Sequence, residues 1–133
     1  MRYWLVGLVV LFVGVISVVP VFAHHSFAAQ YDRTKSIELK GTVTKVEWMN
    51  PHVYFYLDVA DQSGKVTNWA LEMGAPSALQ RSGWNRNLLK VGDQVVVKGS
   101  LAKDGSHLAN ARAVVMASTG KELGAASSEG ATQ

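Results

Sequence analysis

Residues 37–59 read Ile-Glu-Leu-Lys-Gly-Thr-Val-Thr-Lys-Val-Glu-Trp-Met-Asn-Pro-His-Val-Tyr-Phe-Tyr-Leu-Asp-Val. The second half alternates cleanly, with Val53, Phe55, Leu57 and Val59 in one phase and His52, Tyr54, Tyr56 and Asp58 in the other. This is the period-two signature of a half-buried β-strand. The first half also alternates, through Ile37, Leu39, Gly41 and Val43, but then changes parity to Val46 and Trp48. A strand that must keep one face inward absorbs such a change with a β-bulge or sharp bend near Thr44 and Lys45. Gly41, just before the break, lets the strand coil tightly. The pair predicts two strands meeting at an Asn50-Pro51-His52 corner, one face core and the other open.

Working outward, residues 61–65, Asp-Gln-Ser-Gly-Lys, form a hairpin loop, with Gly64 free to adopt positive φ. A third strand follows over residues 66–73, where Trp69, Leu71 and Met73 share a face. Pro76 near the start and Gly83 at the stop predict a short helix over residues 76–81. Leu79, Trp84, Leu88 and Leu89 are then placed to cover one end of a barrel. Residues 94–101 and 108–116 are the fourth and fifth strands, separated by an Asp104-Gly105 turn. Strand, strand, strand, helix, strand, strand, with a long bent first strand, predicts an all-β fold: a five-stranded OB-fold-like Greek-key barrel with one short helix between strands three and four. The runner-up is a small sandwich without closure.

The chain has 133 residues and no cysteine, so disulfides, thiolate metal sites and cysteine nucleophiles are excluded. Its thirteen basic and ten acidic residues are interleaved, which describes a solvated surface and not a track for nucleic acid. Met1-Arg2, an apolar run, Pro20 and the small-residue site Val21-Phe22-Ala23 predict a signal peptide over residues 1–23, cleaved after Ala23, and hence a periplasmic or secreted protein with no membrane attachment after cleavage. An uncleaved anchor is the alternative, since about 20 apolar residues span a bilayer. Residues 24–36 read as an arm fastened by Phe27 and Tyr31, residues 37–117 as the barrel domain, and residues 118–133, rich in Gly, Ala, Ser and Glu, as a disordered tail.

Ala23-His24-His25-Ser26-Phe27, residues 41–48, Asn50-Pro51-His52, residues 68–74 and Gly83-Trp84 together resemble a bacterial family of small exported proteins of unknown function. The resemblance runs from Ala23 to about Val115. It implies an envelope protein and brings with it no activity, substrate or catalytic residue.

Two constellations carry chemistry. Cleavage after Ala23 leaves His24 first, with a free α-amine and an imidazole, and His25 beside it. Such nitrogen donors suit tetragonal Cu(II) or Ni(II), with His25, His52 or His107 supplying the outer imidazole. Copper is the cofactor this set would take. Solvated histidines beside a cleavage site, and a turn histidine bonded to backbone, are the bland counterpart. The second constellation is the outward face of Trp48, Asn50, His52, Tyr54 and Tyr56, since OB-folds bind extended ligands around strands two and three. Its partner would be a small ligand or another envelope protein. Aromatics on strands are more often packing than recognition, and Trp69 shares the parity of core residues. No catalysis is expected: Glu47, Asp58 and Glu72 lie on separate strands, and Ser26, Ser77 and Ser106 have no nucleophile context. The sequence therefore predicts a non-catalytic binding module, with copper binding as the alternative.

Overall fold

The computed structural model describes residues 26–130. The expected signal segment, His24 and His25 lie outside the described residues, as do residues 131–133. The elements are α1 (Phe27–Gln30), β1 (Tyr31–Glu47), β2 (Tyr54–Ala60), β3 (Val66–Glu72), α2 (Pro76–Arg81), β4 (Gln94–Ala102), β5 (Leu108–Met116), β6 (Glu122–Gly124) and a final 3-10 turn at Ser128–Gly130. Among the described residues no helix is long and apolar enough to cross a membrane.

The strands follow the order β3-β2-β1-β4-β5, and β5 returns to β3 through a parallel pairing that sets Ala70, Leu71 and Glu72 opposite Leu108, Ala109 and Asn110. All other pairings are antiparallel. This closes the five-strand ring expected of an OB-like barrel. The 17-residue β1 makes closure possible by pairing with β4 along its first part and with β2 along its second. Its register against β2 shifts between Val43 and Lys45, where the parity of the sequence breaks. At Gly41 the neighbouring strand passes so close that a Cβ would stand 2.4 Å from the Asp58 carbonyl oxygen. No side chain fits there, which is why the bend carries glycine.

The inward phase of each strand builds one core. Val43, Val53, Phe55, Leu57, Leu71 and Val97 are all buried. Leu79 of α2, Trp84 and Leu89 close one end of the barrel, as their spacing predicts. Phe27 and Tyr31 do fasten the arm: their rings pack 5.4 Å apart beside Ala102, forming a small second cluster outside the barrel.

Two boundaries differ from the sequence reading. The first strand begins at Tyr31, not near residue 37, because the polar stretch from Asp32 to Ser36 runs on beside β4 and rejoins it at Ser36 opposite Ser100. Its side chains are mostly exposed, so no apolar alternation marks it.

The expected disordered tail is corrected by β6, which pairs Glu122, Leu123 and Gly124 with Val115, Val114 and Ala113 of β5. Leu123 and Ala125 enter the core, and the Trp84 indole donates to the Gly124 carbonyl at 2.8 Å. Strand addition is made by backbone groups, so a composition of small residues does not reveal it.

Candidate functional site

β2 and β3 pair in a register that sets Tyr54 opposite Glu72. Both belong to the phase that points away from the core residues Phe55 and Leu71. An outward carboxylate is normally wet, yet Glu72 is only 4% exposed. The covering comes from the arm: Tyr31, at the start of β1, donates its hydroxyl to Glu72 Oε2, and the Tyr54 hydroxyl donates to the same oxygen at 2.8 Å. The other oxygen, Oε1, lies 2.7 Å from His52 Nδ1. His52 precedes β2, behind the cis Asn50–Pro51 bond, and its side chain is 30% exposed.

A buried carboxylate is tolerated when its lone pairs are met by donors, and here three side chains meet them. The phenols respond in kind. Burial, and then the Glu72 carboxylate, push the ionisation of Tyr31 far above its ordinary value of 10.0, and the same causes raise Tyr54. Both therefore stay protonated donors. The 2.7 Å contact between His52 Nδ1 and Glu72 Oε1 favours the tautomer with its proton on Nδ1 and its lone pair on Nε2. The His52 side chain is partly open to solvent, as an outer nitrogen that takes a ligand must be. A carboxylate behind an imidazole in this way fixes the tautomer and ring orientation, which is how metal-binding histidines are commonly held.

The other candidates fall in different places. Tyr56 donates to Glu47 at 2.9 Å with the Lys45 ammonium 5.3 Å from its ring centre. Lys45 and then Tyr56 hold the Glu47 carboxyl below its usual range. Trp48 is half-buried against the core, and Asn50 is exposed beside Met49, itself 53% exposed. His107 stacks on Trp69 with ring centres 5.0 Å apart. Its neighbour Leu108 lies opposite Ala70 in β3, so His107 rests on Trp69 while His52 contacts Glu72. Among the described residues no group of three or more histidines and carboxylates is placed to hold a metal ion.

The structure thus brings His52 and Tyr54 together at Glu72, ties Tyr56 to Glu47, packs Trp48 against the core, leaves Asn50 exposed and sets His107 on Trp69. Glu72 and Tyr31, the residues that organise the cluster, are not singled out by spacing. The available signal was Glu72 itself, a charge flanked by the core residues Leu71 and Met73 and in phase with Tyr54.

No match is found among curated proteins. Residues 13–111 match the model of the Family of unknown function (DUF6152), and the chain belongs to that family.

Proposed function

We propose that this is an exported, non-catalytic binding protein of the bacterial cell envelope whose ligand is a transition-metal ion, copper above all, taken at Nε2 of His52. The observation that carries the reading is the 2.7 Å contact from His52 Nδ1 to the buried Glu72, which leaves the outer nitrogen as the donor. One imidazole does not make a site. The remaining donors in this reading are the α-amine and imidazole of His24, freed by cleavage after Ala23. Tethering supports it: Phe27 packs on Tyr31, and the Tyr31 hydroxyl reaches Glu72. The three residues from Phe27 back to His24 span at most about 10 Å.

The test is titration of the processed protein with Cu(II), beside a form with one extra residue before His24 and a His52→Ala form. Tight 1:1 binding, weakened in both altered forms, is expected. Equal affinity in all three would overturn the reading. A second reading rests on Met49, Asn50 and Tyr56, exposed or half-exposed on the side of the corner next to the two tied tyrosines. There the corner contacts another envelope protein. Capture of the same partner by wild-type and His52→Ala protein, lost in a Met49→Asp form, would favour it.

A further inference from the structure

After Gly124 the chain runs on beside β5 and over Gly74, with Ala125 buried against the core, and is held as an extended peptide would be. The Ala125 carbonyl accepts from the Gly74 amide at 2.9 Å, and the Ala125 amide donates to the Arg112 carbonyl at 2.8 Å. Gly74 forms the floor: a Cβ there would stand 2.3 Å from the Ala126 carbonyl oxygen. Ser127 Oγ donates to the buried Asn110 side chain at 2.5 Å. Two residues on, the Glu129 carboxylate lies between Arg33 Nε at 3.6 Å, Arg112 Nη1 at 3.5 Å and Ser100 Oγ at 3.3 Å. Sheet-edge pairing through backbone, small-residue floor, and a guanidinium pair for a carboxylate are the devices by which proteins capture extended peptides.

The resident segment is held unevenly: Ala125 is fully buried and Arg33 Nη2 donates to the Glu129 backbone carbonyl, while the Glu129 carboxylate is held at longer range. Charge-assisted hydrogen bonds normally close to about 2.7–2.9 Å, and every contact to the Glu129 carboxylate is longer than that. Asn110 is 1% exposed, and its Nδ2 has no partner among the described residues. Ala126 sits at φ 49°, a left-handed conformation that a residue with a side chain adopts only under constraint. The tail occupies the groove without satisfying it.

We infer that the groove formed by Arg33, Gly74, Ser100, Asn110 and Arg112 is a peptide-binding site. Its partner is an extended segment of small residues carrying a hydroxyl and, two positions later, a carboxylate, and residues 122–129 are its occupant in cis. An amide in place of the hydroxyl presents an oxygen and an NH2 side by side, so it can accept from Asn110 Nδ2 while donating to Asn110 Oδ1. A partner must displace a tethered competitor, whose effective concentration is of millimolar order. The site is independent of the metal reading, because neither His52 nor Glu72 belongs to it.

The experiment uses the full mature chain with a protease site placed in the turn at residues 118–120, cut after folding. A fluorescent synthetic peptide of residues 119–133 is then added and its anisotropy followed. The expected result is saturable replacement of the cut tail with the barrel still folded by circular dichroism. Binding should weaken about tenfold or more for the Glu129→Gln peptide and tighten for the Ser127→Asn peptide. A scrambled peptide should not bind. Failure to exchange while the barrel stays folded, unfolding when the tail leaves, or equal binding of the scrambled peptide would each overturn the inference. Chemical-shift changes at Asn110 and Ser100 in the uncut chain, on adding the Ser127→Asn peptide in millimolar excess, give an independent check: their absence counts against it.

Discussion

Glu72 is the residue on which the outer face turns, because one carboxylate satisfies Tyr31, Tyr54 and His52 at once. Hydrogen bonds to a charged group contribute about 1.5–3 kcal/mol, so Tyr31→Phe should destabilise the protein by that amount in urea unfolding. Tyr54→Phe should cost less, since Tyr31 is 2% exposed and Tyr54 only half-buried. The two losses should not add, as the phenols share one oxygen. Alkaline pH tests the same contact. The folded Tyr31 ionises well above its ordinary value of 10.0, so above about pH 10 the unfolded chain loses a proton that the folded one keeps. The Tyr31 contribution is thus complete below pH 10 and erodes as pH rises. Stability measured across that range should fall less steeply, by about one proton, in Tyr31→Phe. Alternation made the two faces of β2 legible, but the burial of Glu72 was hidden because the arm that covers it comes from a segment without period.

Among the elements, β1 shows how directly sequence encodes shape. Its parity break became a bulge and its glycine a close approach, both from local steric rules. Gly41→Ala should therefore destabilise by about 3 kcal/mol, the upper end for overpacking, because the obstructing atom is backbone and cannot rotate away. The helix at Pro76–Arg81 was equally legible from its flanking proline and glycine. β6 was not, since its pairing is made by backbone and its apolar content is essentially Leu123 and Ala125. Leu123→Ala should cost about 2–3 kcal/mol by thermal or urea unfolding if the strand is packed as described. A change below about 0.5 kcal/mol, the range of ordinary surface substitutions, would return the tail to the disordered state its composition suggests.

For the whole molecule, the closed ring supplies the frame, and both ends of the described segment pack against it. Tyr31, with Phe27 of α1 packed on it, covers Glu72, while Glu129 near the other end of the described segment bridges to Arg33. The metal reading needs that frame only to hold one imidazole in one tautomer beside the entry of the arm. Composition excluded thiolate chemistry and pointed to histidine nitrogen, and in the fold His52 contacts Glu72 while His107 stacks on Trp69. Those partners were illegible because they depend on strand pairing of β3 with β2 and β5, which local pattern does not fix. The most direct test is the long-range 1H–15N correlation spectrum of the metal-free protein, read at His52 at a pH where the ring carries a single proton. The account predicts that this proton lies on Nδ1 and that Nε2 is bare, a preference weakened in Glu72→Gln. A singly protonated ring with its proton on Nε2 would contradict it.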